Sequence, residues 1–325
     1  MYRCLLLLAA VFPAAAQPVL YACGNDSQTY VVGSKAPTSG LFHRDRAGGW
    51  THYGYHHPLT FGFASDPSHP GALLLSAGNG LLRAVGAGLD WTQLTGSDVT
   101  ELRDVDVDRS TGAVYFGYAA GIRVTRDGGK TWSELSGGLH RTFTESIRVD
   151  RKRSGVLLAG GEDGVFRSED DGRSWRLAGA SGVQILRIEQ SPHDACFWLA
   201  STQGAGLFAS HDCGVTFENL GFVGVGRNLY DVAFDPTTAG RIAVAGWGPG
   251  VVVSTDGGRS WKPRNEGLPG TEATAAVFDP ATPGRLFVSI HDRAVYVSDD
   301  AGASWRKDGL EHTHVNRLRF VEVAR

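Results

Sequence analysis

The stretch Thr125-Arg126-Asp127-Gly128-Gly129-Lys130-Thr131-Trp132 sets a pattern that returns along the chain. It reappears as Ser168-Glu169-Asp170-Asp171-Gly172-Arg173-Ser174-Trp175 and as Ser210-His211-Asp212-Cys213-Gly214-Val215-Thr216-Phe217. Further copies run from Ser254 to Trp261, with Asp256 and Gly258, and from Ser298 to Trp305, with Asp300 and Gly302. Two worn copies end earlier, at Trp50 and Trp91. The seven closing aromatics (50, 91, 132, 175, 217, 261 and 305) are separated by 41, 41, 43, 42, 44 and 44 residues. A period that regular marks a repeat architecture, in which each unit buries its apolar faces against its neighbours.

Between the motifs run short apolar strands broken by Gly, Asp and Pro turns. In the sixth repeat, residues 229–234, 242–245 and 251–254 read as three strands, and a fourth starts at Ser260. Four short antiparallel strands repeated radially make a propeller blade, so the fold class predicted is an all-β, seven-bladed β-propeller. The C-terminal run Val315-Asn316-Arg317-Leu318-Arg319-Phe320 matches the innermost-strand run Leu229-Tyr230-Asp231-Val232-Ala233-Phe234. It is expected to complete the N-terminal blade, which has no innermost strand of its own, and so to close the ring without an open edge. The domains read as a signal peptide over 1–16, a linker over 17–28 and the propeller over 29–325.

The repeated aspartates, Asp127, Asp170, Asp212, Asp256 and Asp300, are read as structural. A short Asp side chain can accept hydrogen bonds from the N–H groups of its own turn, and Gly tolerates the positive φ that such a turn needs. The closing aromatic packs between neighbouring sheets. That use accounts for six of the eight tryptophans and leaves Trp198 and Trp247.

The short pattern resembles the Asp-box, or BNR repeat, found in sialidases, sortilin-type receptors, xyloglucan-cleaving enzymes and photosystem II assembly factors. Its regular length and unadorned blades look most like the assembly-factor type. That resemblance implies a non-catalytic, exported or lumenal protein-binding or assembly scaffold. The alternatives it carries are a glycoside hydrolase, sialidase-like or xyloglucanase-like, and a carbohydrate-binding lectin. A sialidase would need a Tyr nucleophile with a Glu partner, for which Tyr230 and Glu145 occupy equivalent strand positions. However, the Arg-Ile-Pro signature is missing and the blades number seven where sialidases have six.

Composition narrows the partners. A formal net charge of −3 on 325 residues, with no basic run, points away from nucleic acid. Arg3, the apolar residues 5–12 and Ala14-Ala15-Ala16 form a secretion signal, leaving Gln17 as the new end. The expected location is secreted or periplasmic, and no later stretch is apolar enough for a transmembrane helix. Leu20-Tyr21-Ala22-Cys23 loosely resembles a lipoprotein box, which would place a lipid on Cys23 as the minor alternative. An oxidising compartment permits a disulfide. Cys213 sits inside the fifth turn and Cys196 begins a neighbouring strand, so these two are the expected pair.

Ligand chemistry is sought at the mouth of the central channel. Aligning the innermost strands puts Asp106, Arg148, Arg187, Ala233, Val277 and Arg319 at one position. Three arginines at one level suit an acidic peptide segment, because a guanidinium donates two parallel hydrogen bonds to a carboxylate. In the competing reading each Arg pairs with an acid such as Asp106 or Glu189 and fills the channel. Tyr230 and Trp247, the latter in Gly246-Trp247-Gly248-Pro249-Gly250, are added as aromatic contacts for a peptide or glycan. His52, His56, His57, His312 and His314 lie in loops expected to flank one blade, but their spacing fits no metal motif. No cofactor and no catalytic residue is assigned, and a monomer is expected.

Overall fold

The strands alternate in a way that needs two buried faces. In Leu73–Ala77, Val114–Tyr118 and Leu286–Ile290 every residue is buried. Such near-continuous apolar runs belong to strands covered on both sides. The computed structural model describes residues 17–26, 39–139, 143–221 and 223–322. It arranges them as five four-stranded antiparallel sheets and one eight-stranded sheet, which is two blades side by side, making seven blades. The core is correspondingly divided. One apolar cluster fills each gap between neighbouring blades, including Leu20, Phe42 and Phe287 between the last blade and the first.

The innermost strands of blades 2 to 7 are Thr60–Ser65, Asp104–Val107, Thr144–Val149, Ile185–Gln190, Val225–Phe234 and Ala273–Phe278. Blade 1 takes its innermost strand from the C-terminus: Thr313–Val321 pairs antiparallel with Val19–Asp26. Closure is reinforced outside the sheet. Arg44 of blade 1 makes a two-point ion pair with Asp308 of blade 7, and the Trp50 indole donates to the same carboxylate at 2.9 Å.

Two boundaries differ from the sequence reading. Residues 17–28 were expected to be a linker, but Val19–Asp26 is the second strand of blade 1, paired on both edges. Its run, Val-Leu-Tyr-Ala-Cys-Gly, is apolar on both faces, which hid the period-2 signal. The expected starting point, Thr29, and the signal segment 1–16 lie outside the described residues. Cys23 sits within this strand and is fully buried, so a lipid on its sulfur would have to displace the packing between blades 1 and 2.

The Asp-box turns fasten third strand to fourth. Asp127 accepts from the Lys130 and Thr131 amides at 3.0 Å and from the Thr131 hydroxyl at 2.6 Å. Thr125 Oγ1 donates to Asp127 and accepts from the Gly129 amide. Asp170, Asp212, Asp256 and Asp300 repeat the arrangement. Hydrogen bonds from Ser174 hold the Asp170 carboxyl down at about 2. The closing tryptophans then reach the preceding blade: Trp132 donates to the Leu94 carbonyl, Trp175 to Leu135 and Trp305 to Arg264. Trp198, the residue left over, is fully buried between blades 4 and 5.

Candidate functional site

The innermost strands aim alternate side chains into the channel, so strand register decides which charges meet. Pairing with the second strands puts Asp106, Arg148, Glu189, Ala233, Val277 and Arg319 at one level. One level deeper, two residues back along each strand, lie Asp104, Ser146, Arg187, Asp231, Ala275 and Arg317. The sequence alignment had placed Arg187 with Arg148; the residue there is Glu189. The offset is two residues: Leu186-Arg187-Ile188 looks like Ile147-Arg148-Val149, whereas the pairing matches Arg187 to Ser146.

The two levels interlock. Arg148, buried, donates to Asp104 of blade 3 and, at 2.8 Å, to Glu189 of blade 5. Arg317 of blade 1 reaches across the channel to the same Glu189 carboxylate. Arg187 lies 3.7 Å from Asp104 and 3.6 Å from Asp231, and Arg317 lies 3.8 Å from Asp231. The carboxylates also tie blades together. Asp104 accepts from the Ile147 amide, Asp106 from Val149 and Asp231 from Ala276, each in the next blade. Arg148 and Arg187 therefore fill the channel rather than face a ligand, and a plug of this kind can close only if each buried charge finds a partner.

Its electrostatics are uneven. Burial alone would raise the Asp104 carboxyl, but Arg148, Arg317 and Arg187 outweigh it and hold it below its ordinary value. Glu189 is held far down the same way, burial being overcome by Arg148 and Arg317. Asp231 goes the other way: burial dominates, because its guanidiniums stand off, and the carboxyl is raised. Arg319, half-buried and beside the like charge of Arg148, is lowered to about 10 by desolvation and that repulsion.

The open end is the one bearing the turns between first and second strands. A cavity of about 930 Å³ lies there, lined by Arg109, Arg151, Lys152, Arg153 and Arg319 and by the acids Asp106, Asp108, Asp150 and Glu322. A second cavity of about 260 Å³ adjoins it, sharing Arg109, Arg151 and Arg319. The residue that follows Asp or Ser at the end of each inner strand forms the rim. It is proline in four blades, Pro67, Pro192, Pro236 and Pro280, and arginine in two adjacent ones, Arg109 and Arg151. The acids beside them are occupied: Asp108 by Ser110, and Asp150 by the Lys152 amide and Arg153. Arg109, Arg151 and Lys152 are exposed and have no acidic partner within 4.0 Å among the described residues. Sequence reasoning missed this sector. Its signal was the loss of the Asp-Pro pair of other blades at Asp108-Arg109 and Asp150-Arg151.

The aromatic candidates are elsewhere. Trp247 lies in the turn between second and third strands of blade 6, at the opposite end, 40 % exposed with its ring 5.1 Å from His291. Tyr230 occupies the bulge of the same blade and accepts from Asn228. Glu145 occupies the matching bulge of blade 4, raised by burial, with Arg103 3.9 Å away. The channel candidates thus divide between the two ends. The histidines divide too: His52 stacks on His56, and His314 meets His291. Among the described residues no cluster of three His, Cys, Asp or Glu could hold a metal.

Comparison with known proteins agrees with this architecture. The BNR/Asp-box repeat model matches residues 123–134. No curated protein matches the chain by sequence. The xyloglucanase of Xanthomonas campestris superposes with a TM-score of 0.64 at 18 % identity, over 77 % of this chain and 45 % of that one. The Niastella koreensis enzyme of the same glycoside hydrolase family gives 0.65 at 18 % identity, over 90 % and 54 %. The chain thus spans about half the length of these enzymes. The structure of YCF48 bound to D1 peptide gives 0.59 at 15 % identity, over 82 % of this chain and 91 % of that one. At such identities the likeness shows the fold alone. The chain is a seven-bladed β-propeller built from BNR/Asp-box repeats.

Proposed function

We propose that the protein is a non-catalytic, exported binding scaffold that takes an acidic peptide segment at the cationic sector of blades 3 and 4. The observation that carries the reading is the replacement of the rim prolines by Arg109 and Arg151, with Lys152 beside them, none within 4.0 Å of an acid among the described residues. Exposed guanidiniums that hold no acid suit carboxylates, and the flanking prolines offer an apolar rim for the peptide's other side chains. Support for a peptide ligand comes from YCF48, a propeller of similar fold solved with a peptide bound. Support for export comes from residues 1–16 and from the Cys196–Cys213 disulfide.

A fluorescein-labelled peptide rich in Asp and Glu, titrated at low salt and followed by anisotropy, tests it. The triple variant Arg109→Glu, Arg151→Glu, Lys152→Glu is expected to bind about 100-fold more weakly, since charge reversal turns attraction into repulsion. Wild-type affinity should fall as salt is raised. Equal binding by the two proteins would reject the sector. A second reading, glycoside hydrolysis, draws on Glu145, whose raised pKa suits a proton donor, and on Tyr230 at the matching bulge. Turnover of a fluorogenic sialoside or xyloglucan oligosaccharide, lost in Glu145→Gln, would replace the scaffold reading.

A further inference from the structure

Cys196 and Cys213 form a disulfide within blade 5. Both residues are half-buried, on the same face as the cationic sector. Cys213 occupies the left-handed position of its Asp-box turn, with φ at 68°. Glycine, aspartate or alanine fills that position in the other copies: Gly128, Asp171, Gly257 and Ala301. The bond is not packed in an apolar shell. Arg153 of blade 4, which lines the mouth cavity, donates through Nη2 to Cys213 Sγ at 2.7 Å and to Cys196 Sγ at 2.9 Å. Its other terminal nitrogen is fixed by Asp150 at 2.9 Å. A guanidinium is thus held across both sulfurs of a half-buried disulfide.

From this geometry we infer that Cys196–Cys213 is a redox-active disulfide, open to exchange with an external dithiol protein or small molecule. Leaving-group ability rises as the departing thiolate is stabilised, and a fixed cation supplies that stabilisation. The thiolate of the dithiol attacks Cys196 Sγ, and the sulfur–sulfur bond breaks. The electron pair goes to Cys213 Sγ, which leaves as a thiolate paired with Arg153. The second thiol of the reductant then attacks the mixed disulfide and releases Cys196. The reductant ends as a disulfide, and its two protons end on the protein thiols. The turn does not depend on the bond. Asp212 still bonds Thr216, Ser210 still bonds the Gly214 amide, and the Cys213 amide donates to the Cys196 carbonyl at 3.0 Å. The two thiols stay together, so the reaction can run both ways.

The test is the rate of reduction of the native full-length protein by dithiothreitol, read by alkylation and mass. Arg153→Met is expected to slow it about tenfold, and Arg153→Lys, which keeps the charge, to restore most of the rate. In glutathione buffers the same Met variant should lower the constant for reduction by a similar factor. Thermal melting identifies a variant that has merely lost its fold. If Arg153→Met does not fold, the wild type still decides the matter: reduction should proceed below the unfolding transition and slow in high salt. Equal rates in Met and wild-type proteins, or a disulfide that yields only on unfolding, would overturn the inference.

Discussion

The interior of the channel and its open mouth are both rich in arginine, yet only one of them is available to a ligand. Arg148 and Arg317 are 2 % and 3 % exposed and share the carboxylate of Glu189. Arg109 and Arg151 stand two residues past the ends of neighbouring inner strands, exposed and, among the described residues, without an acid within 4.0 Å. The lesson is that residue type does not distinguish a structural cation from a binding one; the partner does. Inside, carboxylates of other blades supply the guanidiniums with partners, and Asp104, Asp106 and Asp231 also accept amides of the next blade. At the rim, the local acids Asp108 and Asp150 are already used by their own turns.

Arg148→Ala should have the largest effect if the contrast is right. It takes from Asp104 its nearest guanidinium and from Glu189 one of its two, among side chains that are almost fully buried. Breaking a buried ion pair from one side costs about 3–5 kcal/mol. Urea unfolding followed by tryptophan fluorescence measures it. A loss below 1 kcal/mol would mean the plug is wet or dispensable, and the arginines could then be free for a ligand after all.

A smaller, more discriminating effect separates two acids of the same level. Asp104 titrates below its ordinary value, so its charged form stabilises the fold; that contribution is present above about pH 4 and lost as pH falls. Asp231 titrates above it, so its stabilising form is the neutral one, complete below about pH 4 and lost as pH rises through the raised pKa. Asp104→Asn is therefore expected to cost about 2–3 kcal/mol at pH 7, and Asp231→Asn under about 1 kcal/mol. Measuring both variants between pH 3 and 8 checks the sign, and matching pH profiles would show the channel to be electrostatically uniform.

How much of this was legible follows from where the repeat is loud. The Asp-box turn keeps its Asp in five blades and an aromatic closes all seven copies, so Asp127, Asp170, Asp212, Asp256 and Asp300 with their aromatics announced the ring. The closing strand was legible because Arg317-Leu318-Arg319-Phe320 keeps the inner-strand pattern. The first strand, Val19–Asp26, was not, because burial on both faces erases alternation. Arg187 was misplaced by two residues because Leu186-Arg187-Ile188 imitates Ile147-Arg148-Val149, and only the strand pairing matches Arg187 to Ser146. Arg317 was passed over because it lies one level deeper than the position that was aligned. The cationic rim was legible in principle, as a departure from Asp-Pro. It was overlooked because attention to a repeat favours what recurs over what breaks.

The smallest expected effect is the one that most directly tests the contrast. Arg109→Glu, Arg151→Glu and Lys152→Glu together alter three surface side chains that bury no paired charge. Surface substitutions away from packing and buried networks change stability by about 0.5 kcal/mol or less each. The Arg151 side chain contributes one hydrogen bond, to the Gln190 carbonyl at 3.2 Å, and that carbonyl can bond water instead. The melting temperature of the triple variant should therefore stay close to wild type while peptide binding is lost. If the variant melts as early as Arg148→Ala, the rim is part of the plug, and interior and mouth are one structural unit rather than a support and a site.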